Sequence, residues 1–361
     1  MGGMLDRDPY LAPGGFYHFA VSGKGRKMLS AIVMAGYNNK REVKKYSKMV
    51  AEHYGEELVD TGYKPLREFQ ITGDDGVISK PIIQFTLETL SASELVDEII
   101  IVGHQMLLEQ RLSDVLGHLG KPCRIVNQNA RLPQSVIERL AVGPKKIKYN
   151  SMAGNMIKGY AASAAYEAKE HALFAVADSP LTPIEFIEQF VHTARDCPDR
   201  AHIFLPAILI EGEEDRLGRK PLKLHNDTRY PLSGFTDNHG RQGFRLSSLA
   251  YANLFHIHMH AINTAYSLRK CLSPNVQLRL FRTTRNLGYK NVYSKYFIRK
   301  NLSVTEVDNI MSTLISGRFS LIPMKGEETT YDYDGTDEEY RQLTEMLNRA
   351  DKEEIRENTD R

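Results

Sequence analysis

The chain has 361 residues, 42% of them hydrophobic and 25% charged, a soluble globular composition long enough for one large domain or two small ones. Its 47 basic and 45 acidic residues leave a net charge of +2, so no global field draws nucleic acid and any anion binding has to be local. Three scattered cysteines, Cys123, Cys197 and Cys271, lack metal-ligand spacing and argue for reduced thiols in a cytoplasmic setting. No apolar run approaches the ~20 residues of a membrane span, and "MLDRDPYLAPGG" is too polar for a signal-peptide core.

Residues 1–28 read as an irregular arm, with "APGG" and "SGKGRK" as turn chemistry. The second of these superficially suggests a phosphate loop, but it precedes a strand instead of following one and is read as a basic linker. "LSAIVMAG" is the first buried strand: short, continuous and apolar, as in a parallel sheet. "KPIIQFTLETLSAS" predicts an amphipathic helix with Pro81 in its first turn. Then follow a strand in "VDEIIIVG", a helix in "LEQRLSDVLGHL", a strand in "CRIVNQ" and a small-residue helix in "GNMIKGYAASAAYEAKE", suited to close packing on a sheet. "ALFAVAD" is a fourth strand. "TPIEFIEQFVHTAR" is a helix capped by Thr182 with Pro183 at its first position, and "AHIFLPAIL" is a fifth strand. This alternation up to about residue 210 implies a mostly parallel sheet with helices on both faces.

Beyond residue 210 the chain is turn-rich with scattered strands. Helices are predicted in "HAINTAYSLRKCL", "TRNLGYKNVYSKYFIRK" and "SVTEVDNIMSTLIS", a strand in "FSLIPM", and a charged helix from Thr336 onward. The expected organisation is an arm over 1–28, one domain over 29–345 and a charged tail over 346–361. Within the domain, 29–210 and 211–345 form two halves.

In open parallel sheets, ligands sit beyond the carboxyl ends of the strands. The residues just past each strand therefore belong together. They are Ala35, Gly36, Asn38, Asn39, Lys40 and Arg41 after the first, with Lys64 further on in "YKPLREF". Asn127 to Asn129 follow the third, "SMAGN" (Ser151 to Asn155) opens a helix, and Asp178 follows the fourth. Asp332 and Asp334 stand in "YDYDGTDEEY". Amides, cations and carboxylates on one edge are what phosphoryl chemistry needs: Lys and Arg neutralise a triphosphate, and carboxylates hold Mg²⁺, which prefers oxygen ligands. Taken singly, Asp178 would read as a turn cap, Lys64 as a surface lysine and Asn155 as a helix cap; the ordered series points to chemistry.

That series resembles the MobA-like nucleotidyltransferases of glycosyltransferase-A-type fold. "AIVMAG" is similar to the family's first strand and loop start, "YKPLREF" to its Lys-Pro-Leu signature and "SMAGNMIKGYAAS" to its nucleobase-side helix. "VADSPLTP" resembles the metal strand, "DYDGTDEEY" the closing acidic motif, and "GFRLSSLAYANLFHI" the stretch before the acceptor site, with Asn253 in an acceptor-binding position. The match runs from about Leu29 to Leu343. It implies a three-layer α/β/α fold with a mostly parallel, Rossmann-like sheet and a C-terminal helical elaboration. It further implies that 29–210 is the nucleotide-binding half and 211–345 the acceptor-side half, and that Ala35, Gly36, Asn38, Asn127, Gly154 and Asn155 bind the nucleotide, with Ala35, Gly36 and Asn155 on base and ribose and Gly154 allowing close approach. Arg41 and Lys64 would bind the triphosphate, and Asp178 with Asp332 or Asp334 would hold Mg²⁺. The partners would be an NTP and a phosphorylated small-molecule acceptor, with no nucleic acid and no membrane span; assembly as a homodimer stays open.

The chain departs from the family in its loop, where Asn38-Asn39-Lys40-Arg41 replaces glycines. A basic insertion precedes Lys64, so that Lys44, Lys45 or Lys48 could take the part of Arg41. Asparagine tolerates left-handed backbone better than most residues. His256, His258 and His260 alternate and would share a strand face. Neighbouring ligands about 7 Å apart suit one ion poorly, so they read as structural histidines, with lining of the acceptor site as the alternative. The expected activity is transfer of NMP from an NTP to the acceptor with release of pyrophosphate. A glycosyltransferase using a sugar nucleotide, or a non-catalytic nucleotide-binding module, are the alternatives; Lys64 in "YKPL" suits a free triphosphate better than a sugar diphosphate.

Overall fold

A computed structural model describes residues 28–36, 63–73, 76–140, 151–197, 200–230, 232–259, 262, 282, 284–333 and 336–359. Four parallel strands form one side of a nine-stranded sheet: β1 (Ser30–Ala35), β4 (Glu98–Gly103), β5 (Cys123–Asn127) and β6 (Ala172–Val176), of which β1, β4 and β6 are buried and β5 is the edge. They lie in the order β5-β4-β1-β6, with Ala35 opposite Gly103 and Gly103 opposite Asn127, so their carboxyl ends make one edge. Next to β6 runs β10 (Leu249–Ala252), antiparallel both to it and to β7 (Ile203–Ile210). β9 (Gln242–Leu246) continues along the same side of β7 and carries β8 (Leu222–Leu224), while β11 (Phe319–Met324) pairs in parallel with the other side of β7. The mixed, mostly parallel sheet is thus as expected, with its antiparallel strands confined to the part past residue 210.

Alternation of side chains about the sheet plane divides the core. Ala31, Val33, Ile99 and Ile101 face α1 (Ile82–Ala92), α2 (Gln105–His118) and α6 (Ile184–Asp196). Ile32, Ile100 and Val102 face α3 (Gln134–Arg139), α4 (Met152–Ala161), α5 (Ala164–Ala168) and α7 (Val304–Ile315). The result is three layers, α/β/α. The small residues of α4 let it lie close on the sheet: a Cβ on Gly159 would collide with Ile32 Cγ2 and stand 2.9 Å from Val102 Cγ2.

Local details differ from the sequence reading. The small-residue segment is two helices, broken at Ala162-Ser163, where the Ser163 hydroxyl donates to Tyr160 O at 2.7 Å. Thr182 does not cap α6; its hydroxyl points back to Ser179 O at 3.5 Å, and Pro183 is the N-cap residue. Pro81 ends a strand and stands just before α1. That strand is half of a hairpin, β2 (Glu68–Gly73) with β3 (Gly76–Pro81), which the sequence pattern did not announce. "TRNLGYKNVYSKYFIRK" yields a short π-helical turn, Ser294–Ile298, and most of "HAINTAYSLRKCL" lies outside the described residues. The last helix, α8 (Asp337–Thr359), runs without a break through residue 345. Leu343 and Leu347 on it pack with Phe69, Ile82, Tyr331 and Tyr333 into a third apolar cluster. Among the described residues, no helix is long and apolar enough to cross a membrane.

Candidate active site

The edge formed by the carboxyl ends of β1, β4, β5 and β6 collects most of the expected residues. β1 ends at Ala35, and Gly36 follows with no room for a side chain: a Cβ there would collide with Asn155 Nδ2 and lie 3.0 Å from Gln128 Oε1. Asn155 is one turn inside α4, whose N-cap is Ser151, the Ser151 hydroxyl accepting from Gly154 N at 3.1 Å. Asn155 is therefore not the cap. It is buried, and its Oδ1 has no hydrogen-bond partner among the described residues. A buried, unsatisfied carbonyl oxygen is costly unless a ligand completes it.

Asn127 meets this edge at the end of β5, but its own carboxamide oxygen closes a turn by accepting from Asn129 N at 2.9 Å. The next residue, Gln128, is fully buried and lines the Gly36 side. Lys158, on α4 and buried, donates from Nζ to Gln128 O. Burial pulls its ammonium down to about 8. Neither Gln128 nor Lys158 was singled out from the sequence. The signal was there, since Lys158 lies three residues after Asn155, which puts both on one face of a helix.

Lys64 is placed by its neighbours. Tyr63, buried, donates its hydroxyl to Ala35 O and accepts from His104 N at 3.2 Å, tying this segment to the ends of β1 and β4. Lys64–Leu66 forms one 3₁₀ turn with Pro65 and Leu66 buried. From it Lys64 Nζ reaches Asp178 Oδ2 just past β6, and lies 5.8 Å from the centroid of the Tyr333 ring. Tyr333 N in turn donates to Asp178 O at 2.9 Å. The segment carrying Asp332 is thereby laid alongside Asp178. Asp332 itself faces Arg219, whose Nη1 is 3.2 Å from its Oδ1.

Of four other expected residues, three lie outside the described residues and one lies elsewhere. Asn38, Arg41 and Asp334, and with them Lys44, Lys45 and Lys48, lie outside the described residues. Asn253 is described, but at the opposite edge: it follows Ala252, which pairs with Ala172 at the start of β6. Its side chain is fully engaged there, donating to Lys169 O at 2.7 Å and accepting from Phe255 N at 3.0 Å and Tyr160 at 3.3 Å. Asn253 thus joins strand ends at that edge. His256 is also at that far edge, its ring stacked on His202 with centroids 4.8 Å apart, while His260 lies outside the described residues. Burial and the neighbouring His256 hold the His202 imidazolium below its usual range.

Among the described residues no three His, Cys, Asp or Glu side chains gather as a metal cage. Two aspartates from different segments on one edge are an oxygen donor set that suits a small hard cation sharing its shell with phosphates and water.

No protein-family model and no curated protein matches the sequence. Comparison with solved structures gives distant likenesses. One is a hypothetical transferase structure from Thermus thermophilus, 17% identical, with 87% of this chain and 100% of that one covered at a TM-score of 0.49. Another is CMP:2-keto-3-deoxy-manno-octonic acid synthetase complexed with CTP, 10% identical, covering 90% and 100% at 0.48. A third is 4-diphosphocytidyl-2C-methyl-D-erythritol synthase from Anaerococcus prevotii, 12% identical, covering 89% and 98% at 0.39.

Proposed function

We propose that this protein is a Mg²⁺-dependent nucleotidyltransferase of the MobA-like kind, moving NMP from an NTP to a phosphorylated small-molecule acceptor and releasing pyrophosphate. The observation that carries the reading is the meeting of Lys64, Asp178 and the Asp332 segment beside Gly36 and the unsatisfied Asn155 Oδ1, at the carboxyl edge of a parallel sheet. The base would lie beside Gly36, whose missing side chain lets Asn155 and Gln128 close on the strand end, with their amide groups presented to its polar edge. Lys64 would neutralise the α-phosphate, releasing Asp178 from its present ion pair to bind metal. Asp178 and Asp332 are the residues that would hold Mg²⁺, which when bound offsets charge developing on the transferred phosphoryl group. No protein nucleophile is required, since the acceptor's phosphate oxygen attacks in line and the chain's task is positioning and neutralisation. Arg41, or a lysine of the insertion, is proposed as a second triphosphate contact.

The test is a pyrophosphate-release screen of the four NTPs against phosphorylated acceptors. One NTP is expected to turn over, with Asp178→Ala and Lys64→Gln each slowing transfer at least about a hundredfold. Turnover that survives Asp178→Ala would sink the metal assignment. Thermal stabilisation by a single NTP with Mg²⁺ reads base preference directly.

A further inference from the structure

A second charged cluster stands beside this site, and the transfer chemistry above does not use it. The loop before β8 is wound around Asp215, whose Oδ1 accepts from Leu217 N at 3.0 Å and Arg219 N at 2.8 Å, and whose Oδ2 accepts from Arg219 Nε at 2.7 Å. Arg245, on β9, brings another guanidinium to the same carboxylate, with Nε 3.2 Å from Oδ2. The Asp215 carboxylate is wholly inaccessible, while both arginines keep about a quarter of their side-chain surface open.

The two arginines differ in how far they are satisfied. Arg219 also reaches Asp332 at 3.2 Å and Thr330 O at 3.0 Å. Arg245 has one side-chain hydrogen bond among the described residues, a long one from Nη1 to Lys220 O at 3.5 Å, and its buried Nε has none. A guanidinium carries five N–H donors, so Arg245 is a half-buried cation with most of its fork unused. Arg219 pairs with both Asp215 and Asp332, whereas Arg245 has, among the described residues, only its share of the buried Asp215 carboxylate. Burial and the adjacent Arg219 press the Arg245 guanidinium below its ordinary range.

We propose that Arg245, with Arg219 beside it, forms an anion subsite that takes the phosphate of the acceptor substrate. A planar fork matches phosphate oxygens two at a time, which a lysine does not do. The location is apt: Arg219 holds Asp332, and the next residue, Tyr333, is bonded to Asp178. A phosphate on Arg245 therefore lies on the acceptor-side segment and next to the carboxylates proposed for the metal. The anion-binding part stands on the arginine geometry alone. Its identification as the acceptor's phosphate rests on the nucleotidyltransferase reading.

The test is calorimetric titration of the full-length protein with inorganic phosphate, for the native chain, Arg245→Gln, Arg245→Lys and Lys64→Gln, with thermal unfolding to confirm that each folds. Phosphate affinity is expected to fall at least about tenfold in Arg245→Gln, by a smaller factor in Arg245→Lys, and to stay within about twofold in Lys64→Gln. Absence of phosphate binding by the native protein would overturn the proposal, as would equal affinity in Arg245→Gln. Loss in Lys64→Gln alone would place the phosphate at the triphosphate end and overturn it too. NTP-induced thermal shifts on the same proteins separate the two readings: a native protein that binds phosphate through Arg245 but shows no shift with any NTP loses the nucleotidyltransferase reading and keeps the anion subsite.

Discussion

Gly36 and Asn155 meet because one of them has no side chain. A methyl group at Gly36 would have to displace the Asn155 amide, since Gln128 closes the other side. Gly36→Ala is expected to weaken NTP-induced stabilisation at least about tenfold in apparent affinity, at a cost of about 1–3 kcal/mol in folding stability from overpacking; thermal shift with and without NTP separates the two effects. Lys158 gives a prediction with a sign. Its ammonium is lowered by burial to about 8, below the value of an exposed lysine. Between those two values the unfolded chain binds the proton and the folded chain does not, so stability rises with pH through that window. Below pH 8 both states are protonated and the buried charge is a constant cost. In urea unfolding, native protein is expected to gain roughly 2 kcal/mol relative to Lys158→Met between pH 7.5 and pH 10, at 1.36 kcal/mol per unit of lowering. A difference that stays flat over that range would mean Lys158 is not a desolvated ammonium. At the end of β5 the Asn127 carboxamide closes a local turn, and the next residue, Gln128, is the one whose side chain faces Gly36. Strand alternation decides this, and a polar run such as "NQN" does not reveal which member points inward.

The elements divide by how they are stabilised. The central strands are continuous apolar runs because both faces are covered, and such runs are readable without any partner. Helix α7 carries its own start signal, a capping box in which Ser303 and Glu306 exchange side-chain and backbone hydrogen bonds. Ser303→Ala is expected to cost about 1 kcal/mol, measured by urea denaturation. Helix α4 is different, since its place depends on the absence of a side chain at Gly159 where it crosses Ile32 and Val102. Gly159→Ala improves helix propensity by about 1 kcal/mol, yet the clash with Ile32 is expected to outweigh it, for a net loss of about 1–2 kcal/mol. Stabilisation in the same urea measurement would show that helix and sheet can separate freely. The β2–β3 hairpin escaped the sequence reading because its apolar contacts are not periodic: Val77 and Ile78 are exposed, while Phe69 is buried against Tyr333 and Tyr340 from the far end of the chain.

At the scale of the whole molecule, the site is closed by a long-range contact. Phe69 on β2 and Ile82 just after β3 pack with Tyr331, Tyr333, Leu343 and Leu347, so α8 presses the acidic segment against Asp178 and Lys64. Leu343→Ala is expected to cost about 2–4 kcal/mol. It is also expected to raise the KM for NTP more than it lowers kcat, because Lys64 and Asp332 lose a shared support without either being removed. An unchanged KM in the folded variant would show that α8 supports stability alone. The class of fold is legible in the chain without coordinates, through apolar strands alternating with amphipathic helices. So are the strand-end positions of Ala35, Gly36 and Asp178, because a buried parallel strand leaves its mark in a few consecutive residues. Which of the remaining candidates share that edge is settled by the packed fold. It brought Lys64, Asn155 and the Asp332 segment together, sent Asn253 and His256 to the opposite edge, and added Gln128, Lys158, Arg219 and Arg245. Those choices depend on strand direction and on packing between residues far apart in the chain. The antiparallel return of β10 in particular carries its last residue to the start of β6, and no local pattern records that direction.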